Sequence, residues 1–150
     1  MFIEQSIKAG REDGLAIGNL GFKGRGILSK RSFSHGEFVC EYAGELISYK
    51  AAKKREEIYS HDETVGCYMY FFEYKSKSYC IDATQETERL GRLLNHSKLE
   101  GNCQTKLFEI NGLPHLILVA SRDIKCDEEL CFDYGERKKT ALEHNPWLGL

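Results

Sequence analysis

The sequence predicts a compact, mainly β domain. Three observations carry that expectation: strand signals are short and numerous, helix signals are few, and glycines rather than prolines punctuate the chain. At 150 residues the chain fits one domain with one sizeable core. It contains no internal repeat, low-complexity tract or Pro-rich linker, and its two prolines are Pro114 and Pro146.

In chain order, Gly18, Gly21, Gly24 and Gly26 make a turn-rich segment. Ile27-Leu28 leave it as a strand, and Phe38 to Tyr42 form the next after a His35-Gly36 turn. Ser48 to Tyr59 is predicted helical because it holds Ala51, Ala52, Lys53, Lys54, Arg55, Glu56 and Glu57. Tyr68 to Tyr74 is an aromatic strand, Lys75 to Ser78 a turn, and Tyr79-Cys80-Ile81 the returning strand. Asn111-Gly112 predicts a hairpin between residues 106–110 and 115–120, since both residues tolerate positive φ. Arg137 to His144 is expected to form a last short helix.

Several function classes are disfavoured. The formal net charge of -2 does not suit a groove for nucleic-acid phosphates, so a basic peptide is the more natural partner and sequence-specific nucleic-acid binding is not expected. No apolar run approaches the ~18 residues of a membrane span, and Met1 to Gly10 has no signal-peptide pattern. The six cysteines (Cys40, Cys67, Cys80, Cys103, Cys126 and Cys131) form no C-x-x-C pair, which favours small buried thiols over zinc ligands or a disulfide framework. No metal is expected. Nucleophile-elbow and H-E-x-x-H patterns are absent, and Asp127-Glu128-Glu129 reads as a solvated turn.

Four segments could carry chemistry: Gly21 to Gly26; the aromatic run Tyr68 to Phe72; Arg92 to Ser97; and Glu128 to Gly135. The glycine segment matches no phosphate-binding pattern. It reads either as a plain turn or as backbone open to a ligand, with Lys23 and Arg25 able to meet a carboxylate. Asn95-His96 reads either as a capped turn or as fixed donors and acceptors for an adenine edge or an amino group. The aromatic run and Phe132 to Gly135 are equally compatible with core packing and a strand end.

In this order and spacing the four segments resemble the SET-domain protein lysine methyltransferases. Further stretches resemble one branch, the histone H4 lysine-twenty monomethyltransferases: Ala52 to Glu56, Thr64 to Tyr70, Gly91 to Lys98, Gly101 to Leu107, Pro114 to Leu118, Ala120 to Ile124 and Pro146 to Leu148. Only Met1 to Asn19 matches loosely. The resemblance implies a SET-domain, β-clip-like fold of small curved antiparallel sheets with few short helices. It also implies a C-terminal pseudoknot, in which the Asn95-His96 segment is threaded beside the Tyr134 segment. It implies a flanking segment at 1–20, the SET domain at 21–136 and a helical segment at 137–150 that closes the cofactor site. A zinc module is not expected, because no cysteine follows Cys131.

The resemblance further implies S-adenosylmethionine as methyl donor, held by Lys23, Gly24, Arg25, Tyr68, Asn95, His96 and Trp147. Tyr134 and Tyr42 are the implied catalytic residues, Phe71 and Phe132 line the implied lysine channel, and Arg92 braces Asn95-His96. The implied substrate is a histone tail or nucleosome, for a monomeric enzyme of the nucleus and chromosome. A non-catalytic SET-fold binding module stays open, as does a methyltransferase for another histone or a non-histone protein. One departure stands out: Phe132 replaces the tyrosine of the monomethylating branch, which leads us to expect products beyond monomethyl-lysine.

Overall fold

The computed structural model describes residues 2–21, 24–65, 68–97 and 101–132. The described residues divide into two compact units, residues 2–42 with 89–132, and residues 43–88. Its described elements, in order, are α1 (Phe2–Ala9), β1 (Leu15–Asn19), β2 (Arg25–Ser29), β3 (Phe38–Glu41), β4 (Glu45–Ser48), α2 (Tyr49–Ser60), β5 (Met69–Tyr74), β6 (Lys77–Asp82), a 3₁₀ turn (Gly91–Leu93), β7 (Asn95–His96), β8 (Cys103–Ile110), β9 (Leu113–Ala120) and β10 (Glu129–Phe132). The mainly β expectation holds, with two α-helices among the described residues.

The first unit is a sheet in the order β1-β2-β10-β8-β9-β3, with β7 pairing β10 off that path. Its longest hairpin is β8–β9, in register from Cys103↔Ala120 to Ile110↔Leu113. Asn111 and Gly112 close it with φ of 51° and 78°, the positive values a two-residue hairpin turn needs. β10 pairs antiparallel with β2 through Glu129↔Leu28 and Leu130↔Ile27. Its other half runs parallel to both β7 and β8, with Cys131↔Asn95, Phe132↔His96 and Phe132↔Cys103. β10 thus runs between β7 and β8, in keeping with the expected pseudoknot, whose Tyr134 segment lies outside the described residues.

Residues 2–20 carry structure that the sequence reading did not assign. α1 places Ile3 and Ile7 one turn apart against Phe38, Ile110, Ile117 and Val119. β1 pairs with β2 along its whole length, from Leu15↔Ser29 to Asn19↔Arg25. The helical spacing of Ile3 and Ile7 was the available signal, but eight residues hold too few turns for a clear apolar stripe.

In the second unit the sheet order is β4-β6-β5. Ser48 caps α2, its Oγ accepting from the Ala51 N–H at 3.1 Å, so the helix starts where a side-chain acceptor satisfies an orphan donor. Lys75 and Ser76 alone make the β5–β6 turn, with φ of 50° and 63°; Lys77 and Ser78, expected in the turn, belong to β6. Met69 and Phe71, alternate residues of β5, pack with Ile47, Ala52 and Cys80 in a core shared by α2 and the sheet.

Beside that core lies an ionic network. Arg55 Nη1 donates to Glu45 at 2.7 Å and to Asp82 at 3.1 Å, while the Tyr59 hydroxyl donates to Asp82 at 2.7 Å. The Thr84 N–H donates to the same carboxylate at 3.0 Å. Burial pushes the Asp82 carboxyl up, but hydrogen bonds from Tyr59, Thr84 and Arg55 outweigh it and hold it below its ordinary value. Tyr59 moves the other way, raised by burial and by Asp82.

Five cysteines lie among the described residues, all free; Cys40, Cys80, Cys103 and Cys131 are buried as expected and Cys126 is exposed. Among the described residues no helix is long and apolar enough to cross a membrane.

Asp82→Ala should cost about 1–3 kcal/mol in urea denaturation, because it removes the acceptor for the Tyr59 hydroxyl and the Thr84 N–H and one of the two carboxylates on Arg55. The pH dependence has a definite sign. A depressed carboxyl contributes stability that is fully present above its ordinary value of 3.8 and is lost as pH falls through the lower folded value. The wild type should lose this component on acidification below 3.8, and Asp82→Ala should show a flatter profile over that range.

Candidate functional site

The candidate site grows from the loop joining β1 to β2. Gly21 and Gly24 take left-handed φ of 68° and 75°, where glycine is favoured. The loop closes on itself: the Leu20 N–H donates to the Gly24 carbonyl at 2.8 Å, and the Gly24 N–H to the Gly21 carbonyl at 2.9 Å. Asn19 Oδ1 accepts from the Gly21 N–H at 3.1 Å. Among the described residues, chain neighbours aside, no atom lies within 4 Å of where a Cβ on Gly21 or Gly24 would stand.

Gly26 plays the opposite part. A Cβ there would stand 2.3 Å from Leu20 Cδ1, 2.8 Å from Asn95 Nδ2 and 3.2 Å from Glu129 Oε2. The missing side chain lets β2 approach the Asn95 amide, which donates to the Arg25 carbonyl at 3.1 Å and to Glu129 Oε2 at 3.0 Å. Glu129 was read as part of a solvated turn; instead it opens β10 and reaches across to β7. The turn itself sits at Asp127, with φ of 69°.

A second polar residue escaped the sequence reading. Asn102 is 1% exposed, and its side chain works as a piece of strand. Nδ2 donates to the Glu129 carbonyl and Oδ1 accepts from the Cys131 N–H, both at 2.9 Å. Its own N–H donates to the Cys131 carbonyl at 3.1 Å. The Gly101-Asn102-Cys103 stretch was legible only as a likeness; spacing alone does not reveal a buried amide.

Tyr42 and Phe132 come together at the end of β3 and β10. Both are buried, and their rings meet edge to face at 6.3 Å. The turn at Gly91–Leu93 packs directly on this corner: a Cβ on Gly91 would stand 2.2 Å from the Glu41 carbonyl oxygen and 3.2 Å from Tyr42 Cα. Glu12 pins the entry to that turn, accepting from the Leu90 N–H at 2.9 Å and from Arg89 Nε at 3.3 Å. Arg92, within the turn, is 2% exposed.

Of the sequence-predicted residues, Gly24, Arg25, Tyr42, Asn95, His96 and Phe132 therefore belong to the first unit, where β2, β7 and β10 bring Arg25, Asn95, His96 and Phe132 onto neighbouring strands. Tyr68 and Phe71 belong to the second. The Tyr68 carbonyl accepts from the Ala83 N–H at 2.8 Å. Phe71 lies under α2, edge-on to Tyr49 at 5.9 Å and with Lys53 Nζ 5.8 Å from its centroid. Lys23, Tyr134 and Trp147 lie outside the described residues, as does the helix expected at 137–144. Among the described residues no group of three or more His, Cys, Asp or Glu side chains is placed to hold a metal ion.

The family profile described as "SET domain" matches residues 24–135, the stretch that runs from the end of the glycine loop through β7 and β10. The chain belongs to the SET-domain family. Among the relatives of this SET domain is the N-lysine methyltransferase KMT5A of Xenopus tropicalis, 57% identical over 97% of this chain and 43% of its own length. Another is the histone-lysine N-methyltransferase Set8 of Drosophila melanogaster, 51% identical over 97% of this chain and 21% of its own. The SET domain thus spans less than half the length of these relatives. The crystal structure of CpSET8 from Cryptosporidium superposes with a TM-score of 0.76 at 44% identity, covering 81% of this chain and 57% of that one. The fold expected from the sequence is therefore the fold observed.

Gly91→Ala should destabilise this SET domain by at least about 2 kcal/mol, because the new methyl group meets rigid backbone rather than a yielding side chain. Gly24→Ala meets open space but imposes an unfavourable positive φ, and should cost about 1 kcal/mol. Thermal unfolding of the two variants side by side tests the order.

Proposed function

We propose that the chain is an S-adenosylmethionine-dependent protein-lysine N-methyltransferase acting on histone H4 in nucleosomes, in the nucleus and on chromosomes. The observation that carries this reading is that one compact unit holds the glycine loop, the clamped Asn95 amide and the Tyr42–Phe132 aromatic corner in a chain of the SET-domain family. Support for lysine as the acceptor comes from the names of the relatives; support for histone H4 comes from the branch the sequence resembles. No sequence-specific contact with nucleic acid and no resident metal are invoked, and the enzyme is taken to act as a monomer.

The residues suit the cofactor. Gly24 and Arg25 offer exposed backbone and a cation for a carboxylate, and Asn95 offers an amide whose two N–H groups are already engaged. His96 is exposed beside it. Tyr68, Lys23 and Trp147 complete the set we assign. When bound, S-adenosylmethionine supplies a methyl group activated by its sulfonium for transfer to a neutral amine.

The chain's own residues must deliver that neutral amine. A free lysine titrates at ~10.4, and an aromatic channel lowers this by withholding water from the ammonium. Tyr42 and Phe132 are assigned to that channel, with Tyr42 orienting the amine through its hydroxyl; Phe71, expected there, packs instead in the core under α2. Tyr134 is assigned to hold the reacting groups in line. Alignment of this kind is worth roughly 7–11 kcal/mol without a covalent nucleophile.

The test is incubation with nucleosomes, free histones and labelled S-adenosylmethionine, followed by mass spectrometry. Histone H4 should be methylated on lysine, more on nucleosomes than on free peptides. His96→Ala should weaken cofactor use, and Tyr134→Phe should slow transfer while the domain stays folded. Methylation of histone H3 with histone H4 untouched would overturn the substrate assignment. Cofactor binding without turnover on any protein would favour a non-catalytic module.

The degree of methylation turns on Phe132. A tyrosine hydroxyl at this place can hold a water at the end of the channel, whereas phenylalanine cannot. Products should therefore reach dimethyl-lysine at least. In a time course on one peptide, Phe132→Tyr should shift the product toward monomethyl-lysine; a wild type that stops at one methyl group would refute this role.

A further inference from the structure

We propose that Glu129 is a positioning residue for the cofactor site, acting through Asn95. The inference rests on the reading above that the chain binds S-adenosylmethionine. The Asn95 amide has two nearly isosteric ends, one that donates and one that accepts. Its nitrogen faces two groups that can only accept, the Arg25 carbonyl at 3.1 Å and the Glu129 carboxylate at 3.0 Å. Rotating the amide by half a turn would set its oxygen against both acceptors and break both hydrogen bonds. The carboxylate and the Arg25 carbonyl together select one orientation, in which Oδ1 is turned away as a fixed acceptor. Such an oxygen suits an N–H donor, either the ammonium or the adenine amino group of the cofactor.

Three features show that this contact is built into the fold. Gly26 has no side chain where a Cβ would collide with Leu20 Cδ1 and Asn95 Nδ2 and crowd Glu129 Oε2. Asn95 sits on a two-residue strand, so its side chain depends on cross-strand partners for a fixed direction. Glu129 is held by its backbone independently of its carboxylate, since its carbonyl accepts from buried Asn102 and its Cα pairs with Leu28. Removing the carboxylate should therefore leave Asn95 held by the Arg25 carbonyl alone, and so less firmly oriented, while β10 stays in place.

The experiment is a double-mutant cycle on cofactor affinity, read by isothermal titration with S-adenosylmethionine in the absence of peptide. Glu129→Ala should weaken binding about tenfold, the usual scale for a hydrogen bond to a charged group. Glu129→Gln, whose amide oxygen can accept the same hydrogen bond, should recover most of that loss. In an Asn95→Ala background, Glu129→Ala should bring no further weakening, because the residue it acts through is gone. In steady state the KM for the cofactor should rise while kcat changes less than about twofold. If Glu129→Ala is too unstable to titrate, Glu129→Met, which fills the space without an acceptor, replaces it with the same expectations. Unchanged affinity in the acceptor-free variant, or losses that multiply in the double variant, would overturn the positioning role alone. A wild type that binds no S-adenosylmethionine would overturn the underlying functional reading as well.

Discussion

One buried amide holds the strand on which the site depends. β10 needs hydrogen-bonding partners on both sides, yet its neighbours β7 and β8 are separated by residues 97–102, which are in neither strand. Asn102 bridges the interval. Its side chain accepts from Cys131 and donates to the Glu129 carbonyl, satisfying two groups that a regular ladder would have paired. Leaving either group unpaired in the interior costs about 1–3 kcal/mol, so Asn102 is less a polar intrusion into the core than a condition of the threading. Ser121 strengthens the tie, its N–H donating to the Asn102 carbonyl at 2.9 Å.

The two units answer the same problem with different chemistry. In the first, glycines allow close backbone approach at Gly26, Gly91 and Gly101, and side-chain amides fill the hydrogen-bonding gaps. In the second, one helix covers a three-stranded sheet through an apolar core, and a carboxylate ties the helix to β6 from the side. Neither arrangement relies on a disulfide or a metal among the described residues, and the buried thiols serve as small core residues. Burial raises the Cys40 and Cys103 thiols, the latter to about 12, which keeps both in the neutral, unreactive form.

The site was legible in part. Local chemistry announced the glycine loop, the Asn111-Gly112 hairpin and the helix-forming run after Ser48, because each depends on residues within a few positions of one another; the cap at Ser48 itself is seen only in the structure. Asn95 was singled out as a carrier of fixed donors and acceptors, and its amide does make directed hydrogen bonds. Glu129 was misread as solvated because its partner lies 34 residues away. Glu12 passed unnoticed for the same reason, its contact with Leu90 spanning 78 residues. α1 was missed because its apolar pattern is short and its stability comes from the core it covers.

By itself the sequence determined the secondary-structure class, most strand positions, the turns that require positive φ, and, through the order of four segments, the family. These are properties of periodicity, turn chemistry and motif spacing, which act over short stretches of chain. Only the tertiary structure decided which residues meet: that β10 runs between β7 and β8, that Tyr42 faces Phe132, and that Gly26 makes room for an amide clamped by Glu129. Such contacts follow from how distant segments close around a shared core, where packing at ångström distances selects one partner among many chemically equivalent ones.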